Sequence, residues 1–223
     1  MKRILDYIST VLCIIVLSIA LMYGITWEQD VTIIDYTPEF ELSEFPLESV
    51  LYLSNDFGSG SGVLIAPNKI ITARHVIEGN NFIDIRSYDS DNTFIRSSRL
   101  FAFNECDMGI VTLEKDILLK PIPLGDSDDL KIGDTIYCIG YPWGVNTDIV
   151  TKGIVSGLKV CKEELFGDVW LMVIDASCQP GYSGGAAIND KGELIGIVVG
   201  YRGTGGYWYI IPINIFKQLD DQF

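Results

Sequence analysis

Apolar and polar positions divide the chain into three stretches of different pattern. From Tyr7 to Trp27, "YISTVLCIIVLSIALMYGITW", 21 consecutive residues carry no charge. As a helix this run would extend about 31 Å at ~1.5 Å per residue, close to the ~30 Å hydrocarbon thickness of a bilayer. Tyr7, Tyr23 and Trp27 stand near its ends, where aromatic rings favour the interface. Lys2 and Arg3 precede the run, and Glu28 and Asp30 follow it. The positive-inside rule then places the N-terminus in the cytoplasm and the bulk of the chain on the outer face. Residues 1–27 are therefore expected to form one transmembrane signal-anchor helix. The alternative is a cleaved signal peptide that leaves a secreted protein, because Ser18-Ile19-Ala20 offers small residues at the required spacing. The apolar run continues past that point through Leu21-Met22-Tyr23.

Residues 28–46 read as an acidic linker, broken by Pro38 and Pro46. Beyond Pro46 the pattern changes to many short β-like runs bounded by turn residues. "SVLYLSN", "GVLIAP", "KIITARHVI", "FIDIRSY", "TFIRSSRLFAF" and "GIVTLE" form one group, over about 47–114. A weakly patterned link follows at 115–133. A second group, over about 134–213, holds "TIYCIGY", "DIVTKGIVSGLKV", "VWLMVID", "GAAIND", "ELIGIVVGY" and "YWYIIPI". Residues 214–223 read as a helix, with Asn214 as N-cap and apolar residues at 215, 216 and 219. Two groups of six short strands with a link between them predict an all-β fold, a double six-stranded antiparallel β-barrel in one domain over 47–223.

Charge and cysteine content remove several function classes. Of 223 residues, 30 are acidic and 16 basic, a formal net charge of −14. Residues 28–223 alone hold 14 basic and 29 acidic side chains. Nucleic acid is excluded as a partner on this charge, since phosphates demand a basic surface. The five cysteines contain no Cys-x-x-Cys spacing, and there is one histidine. No metal site and no cofactor are expected. Cys106, Cys138, Cys161 and Cys178 are either buried thiols or disulfide partners of undetermined connectivity. A homo-oligomer is left open.

The candidate chemistry lies in Gly181-Tyr182-Ser183-Gly184-Gly185. This fits Gly-x-Ser-x-Gly, the nucleophile elbow of an α/β-hydrolase, but that fold needs the order Ser, Asp, His and a helix after the serine. The sole histidine, His75, precedes Ser183 by 108 positions, and "GGAAINDKGELIGIVV" reads as strand, turn, strand. The order His, Asp, Ser can be built instead, from His75 at the end of an apolar strand, Asp107 opening another, and Ser183. Imidazole suits proton shuttling near neutrality, and a carboxylate on Nδ1 fixes its tautomer. Glycines around the serine let the N–H groups of Gly181 and Ser183 converge on a developing oxyanion. Each residue alone has an ordinary structural reading; their order and their separation into two strand groups make the set specific.

These segments resemble the trypsin-like serine proteases, and within them the HtrA/DegP type. "GSGSGVLIAPNKIITARHVI" is similar to that family's strand pair ending in the catalytic histidine, and "CDMGIVTL" to its aspartate strand. "IGYPWGVNTDIVTKGIVSGL" is similar to its second-barrel opening, "IDASCQPGYSGGAAINDKGELIGI" to its nucleophile loop, and "YWYIIPINIF" to its closing strand and helix. The resemblance covers about 48–220. It implies a serine endopeptidase with triad His75, Asp107 and Ser183, an oxyanion hole from Gly181 and Ser183, and protein or peptide substrates. No PDZ domain is expected after the closing helix. Tyr182 stands where the family usually has Asn, and Cys178 replaces an apolar or small residue. No Ile-Val-Gly-Gly start is present, which leaves open whether the oxyanion loop is preformed or ordered by a partner. By resemblance the specificity pocket has walls from Ser177–Gln179, Val199–Tyr201 and Tyr209-Ile210, without an acid, so a small or medium apolar residue is expected before the scissile bond. The expected role is envelope protein quality control or a single processing event. The alternative is a protease fold used without catalysis, for binding or sensing.

Overall fold

A computed structural model describes residues 45–87, 94–145, 147–201 and 206–220. The expected transmembrane segment and most of the acidic linker lie outside the described residues. Among the described residues no helix is long and apolar enough to cross a membrane.

The first strand group is β1 (Val50–Asn55), β2 (Gly58–Ala66), β3 (Lys69–Thr72), β4 (Ile83–Arg86), β5 (Ile95–Ser97), β6 (Arg99–Ala102) and β7 (Gly109–Thr112), with a helical turn, α1 (Arg74–Ile77), after β3. The strands form one antiparallel sheet in the order β5-β4-β1-β2-β3-β7-β6. Seven strands replace the expected six, and the reason is local. β5 and β6 sit at opposite ends of the order, yet only Ser98 separates them in sequence. They are one bent strand that pairs with β4 before the bend and with β7 after it, so the sheet has to roll up. Ser97 fastens the bend: its buried hydroxyl donates to the Thr112 carbonyl at 2.6 Å and accepts from the Arg99 N–H at 3.2 Å.

The second group is β8 (Thr135–Gly140), β9 (Ile149–Glu163), β10 (Gly167–Ile174), β11 (Ala186–Ile188), β12 (Leu194–Tyr201) and β13 (Trp208–Pro212). It closes into a six-stranded barrel in the order β10-β13-β12-β11-β8-β9. Alternation along its strands explains why they read as almost continuously apolar. Successive side chains of a strand point to opposite faces. Ile136 and Cys138 of β8, Ala187 of β11 and Ile195 and Val198 of β12 share one core with Met172 and Ile210. Their neighbours Tyr137, Ile139, Ala186, Ile188, Leu194 and Ile197 belong to the other core, with Val50, Leu64 and Ile71 of the first sheet. One face of these strands fills the barrel and the other packs against the first sheet, so both are buried.

The chain between β7 and β8 ties the halves together. Ile122 N–H donates to the Leu64 carbonyl at 2.9 Å, and Leu194 N–H to the Pro123 carbonyl at 2.8 Å. The closing helix, α2 (Ile213–Asp220), starts one residue before the expected point, directly after Pro212. Asn214 is thus inside the first turn and is not the cap; its side-chain amide donates to Asp126 at 2.6 Å. Ile213, Phe216 and Leu219 recur at three-residue spacing and enter the shared core. Burying a side chain such as Phe216 contributes roughly 1.5–3 kcal/mol. Lys69 on β3 meets Asp220 of α2 at 3.0 Å.

Candidate active site

His75 stands in α1, not at a strand end. Ala73 is extended (φ −74°, ψ 140°), and the backbone then turns helical, lifting His75 out of the β3 plane. Its imidazole is half-buried, with 45% of the side chain exposed. Asp107 lies two residues before β7 and is 1% exposed. The two are joined twice. His75 Nδ1 lies 2.6 Å from Asp107 Oδ2, and the His75 backbone N–H donates to Asp107 Oδ1 at 2.9 Å. A buried carboxylate with both oxygens occupied has no freedom to turn away from the ring. With Asp107 ionised, Nδ1 carries the proton and Nε2 is left as the acceptor.

The Asp107 segment is itself held by the second barrel. The turn Glu164–Phe166 between β9 and β10 reaches across, and Asp107 N–H donates to the Phe166 carbonyl at 2.8 Å. Cys106 forms a β-bridge with Gly167, and Asp168 N–H donates to the Glu105 carbonyl at 3.1 Å. Gly167 is required by this approach: φ is +95°, and a Cβ would run into the Glu105 carbonyl and the Cys106 backbone. Cys106 is a buried free thiol, pushed up to about 12 chiefly by burial. Cys138 and Cys178 are likewise buried and free; the Cys161 side chain lies outside the described set.

Ser183 and His75 line two clefts in common. The first is a cavity of about 380 Å³ whose other walls include Leu165, Phe166, Pro180, Val199, Tyr201 and Trp208. Among the described residues, no acidic or basic side chain lines it other than His75. The second, about 240 Å³, is more polar and is bounded by Asn55, Phe57, Glu78 and Asn80. No hydrogen bond joins Ser183 Oγ to His75; such contacts are often long before substrate binds. The expected pocket walls at Val199–Tyr201 are present. Those at 177–179 and 209–210 are replaced by Pro180 and Trp208, and Leu165 and Phe166 are additions that the sequence reading missed. Both come from the hairpin turn, whose reach over the cleft has no local sequence signature.

The Ser183 loop presents two amides. Gly181 has φ +106°, and a Cβ there would collide with the Tyr141 carbonyl. The carbonyl preceding each amide is anchored: Pro180 accepts from Trp143 N–H at 2.7 Å and Tyr182 from Gly185 N–H at 2.7 Å. Every peptide bond among the described residues is trans, so N–H and C=O point in opposite directions. The Gly181 and Ser183 N–H groups face away from those anchors, and neither meets a protein acceptor among the described residues. Tyr182 is turned inward, buried, with its hydroxyl donating to the Ile149 carbonyl at 3.0 Å. Burial raises its ionisation well above the ordinary tyrosine value.

Residues 60–197 match the family model of the trypsin-like peptidase domain. This chain belongs to the trypsin-like peptidase family. Its similarity within the family is to HtrA-type proteases. The chain is 32% identical over 177 residues to the serine protease Do-like HtrA of Bacillus subtilis (strain 168), which covers 74% of this chain and 39% of that one. It is 33% identical over 171 residues to the periplasmic pH-dependent serine endoprotease DegQ of Escherichia coli (strain K12), covering 74% and 37%. Among solved structures, the HtrA-type protease AlgW with a tripeptide superimposes with a TM-score of 0.71 at 26% identity, over 80% of this chain and 60% of that one. This trypsin-like peptidase thus spans well under half the length of the two curated relatives.

Proposed function

We propose that the chain is a membrane-anchored serine endopeptidase acting through a His75–Asp107–Ser183 triad. The observation that carries the reading is the doubly bonded His75–Asp107 pair, with Ser183 across the same cleft from His75. In the reaction, Ser183 Oγ attacks the substrate carbonyl carbon while His75 Nε2 takes its proton. The imidazolium is stabilised by Asp107. The carbonyl oxygen, now negative, is received by the N–H groups of Gly181 and Ser183. His75 returns the proton to the leaving amine, and the chain holds the acyl group as an ester on Ser183. Water, deprotonated by His75, then releases the acid and restores Ser183.

The apolar cavity takes the side chain before the scissile bond. An unpaired charge buried there would cost about 3–5 kcal/mol, so apolar residues are preferred. Residues 1–27 anchor the chain with its N-terminus in the cytoplasm, and the acidic linker, 28–46, carries the protease domain on the outer face. The domain proper is 47–223. The periplasmic relatives support this placement. The substrates are envelope proteins or peptides, taken for quality control or processing.

The test is turnover of an unfolded protein substrate by the full chain in detergent, against Ser183→Ala and His75→Ala. Turnover by the parent and none by either variant supports the reading. Turnover that survives in Ser183→Ala refutes it. A folded parent that binds the substrate without cleaving it would make the chain a binding module.

A further inference from the structure

The nucleophile loop is tied down by hydrogen bonds at every carbonyl from Pro180 to Ser183. Each of the four is held by a donor from elsewhere in the fold or loop. Pro180 and Tyr182 are held by backbone amides, as described above. The other two are held by one residue, Ser61 of β2. Its hydroxyl donates to the Gly181 carbonyl at 2.7 Å, and its own N–H donates to the Ser183 carbonyl at 2.8 Å. The same Oγ accepts from the Tyr141 N–H at 2.9 Å, and the Ser61 carbonyl accepts from Thr72 Oγ1 at 2.6 Å. Ser61 is fully buried, and every polar group it has is engaged. The loop's amides alternate to match. Tyr182 N–H goes to the Gln179 carbonyl at 3.0 Å and Gly184 N–H to the Val198 carbonyl at 2.7 Å. Only Gly181 and Ser183 are left to face the cleft.

Ser61 is in position because its neighbours have no side chains. A Cβ on Gly60 would lie 3.0 Å from the Ser183 carbonyl and 2.7 Å from Val76. Gly184 meets β2 from the other side: its φ is +83°, and a Cβ there would strike the Ser61 carbonyl and the Thr72 hydroxyl. Thr72 is the last residue of β3, two positions before α1. Ser61 therefore joins three parts of the site: the strand that leads to His75, the end of β8 at Tyr141, and the loop of Ser183.

We propose that Ser61 is a positioning residue for the reaction, which holds the Ser183 loop in its oxyanion-receiving conformation without help from a partner. The proposal rests on the proteolytic reading above. The Gly181–Tyr182 peptide lies between the two peptides that carry the Gly181 and Ser183 N–H groups, and flipping it would take the Gly181 carbonyl from the Ser61 hydroxyl, leaving that buried hydroxyl with the Tyr141 N–H as its one partner and no acceptor for its proton. That penalty keeps the loop in one arrangement. Ser61 acts through backbone groups and does not touch substrate, so its loss should appear where charge develops on the substrate oxygen and not where substrate binds.

The experiment compares full-length parent, Ser61→Ala and Ser61→Thr. The parent is first shown to turn over an apolar peptide substrate and Ser183→Ala is shown not to; if the parent is inactive, the proteolytic reading fails before Ser61 is tested. A misplaced catalytic group costs on the order of 10²-fold. Ser61→Ala should lower kcat by about 10- to 100-fold while KM changes little. Affinity for a peptide boronate, which places a tetrahedral oxygen in the oxyanion site, should fall by a similar factor. Affinity for the corresponding product acid should not. Ser61→Thr retains the hydroxyl and should be faster than Ser61→Ala. Equal kcat in parent and Ser61→Ala overturns the proposal. So does a loss of boronate and product affinity in step, which would mean general disruption of the cleft. If Ser61→Ala shows no cooperative melt, the boronate-to-product comparison is made on Ser61→Cys, whose thiol is a much weaker donor.

Discussion

Replacing Asp107 by Asn exchanges one heavy atom, an oxygen for an NH₂ nitrogen, and leaves the volume of the side chain nearly intact. The consequence can be worked from the two contacts. Both carboxylate oxygens face donors on one residue: Oδ1 receives the His75 backbone N–H at 2.9 Å, and Oδ2 lies 2.6 Å from Nδ1. An amide has one acceptor and one NH₂. If its oxygen keeps the backbone N–H, the NH₂ faces Nδ1, which must then accept, and the ring proton moves to Nε2. The base is lost with the fold unharmed. If the amide flips, its NH₂ meets the backbone N–H, two donors face each other in a site 1% exposed, and each loses a hydrogen bond worth about 1–3 kcal/mol. The first arrangement wins. The tautomer it imposes cannot take the Ser183 proton. A loss of about 10⁴ in kcat is expected, equivalent to about 5 kcal/mol in the barrier. The assay is kcat and KM on a fluorogenic peptide, with thermal melting on the same samples. Activity near the parent value with an unchanged melt would refute the reasoning, because it would mean that Asp107 does not set the state of His75.

Three further outcomes are expected. In a panel of peptides that differ only before the scissile bond, apolar residues should be cleaved about 10²- to 10⁴-fold faster than Arg or Lys, since the described walls offer no counter-charge; fastest cleavage after Arg would contradict this. Acid should loosen the contact between Asp126 and α2. Hydrogen bonds from Asn214 and then the Asp128 N–H hold the Asp126 carboxyl below the usual carboxylate range. A depressed value means stability that is present above the unfolded-state value and is lost as pH falls through the folded-state value. Melting of the parent should therefore drop below about pH 4 more steeply than that of Asp126→Asn; parallel curves would show that the contact contributes nothing. Gly184→Ala should destabilise the fold by more than the ~1–2 kcal/mol cost of a left-handed alanine, because its Cβ also meets the Ser61 carbonyl; a melt within one degree of the parent would count against the packing described.

The candidate residues of the site could be named from the sequence because histidine, aspartate and a glycine-flanked serine fall in that order across two strand groups, and the structure joins His75 to Asp107 and sets Ser183 on the same cleft as His75. The all-β architecture was legible from short alternating runs between turn residues. What the sequence hid was set by contacts distant along the chain. Ile95–Ala102 reads as one strand; the bend at Ser98 is forced by pairing with β4 on one side and β7 on the other. "KIITARHVI" reads as one apolar strand because Val76 and Ile77 are buried too, although they belong to a helical turn. Leu165 and Phe166 fall between two of the strand runs and carry no pattern of their own, and only the fold shows that this turn reaches both the cleft and Asp107. Ser61 was hidden by its neighbours: in "GSGSG" nothing local separates the hydroxyl that ties the first sheet to the Ser183 loop from that of Ser59.

The most direct test of the central claim is labelling of the full chain by a fluorophosphonate, with the adduct mapped by mass spectrometry. The probe reacts only with a serine whose base and oxyanion donors are assembled. The account predicts one adduct, on Ser183, abolished in Ser183→Ala and slowed in Asp107→Asn; removal of triad chemistry typically costs about 10⁶ in rate. Labelling at another serine, or a folded chain that takes no label, would contradict it.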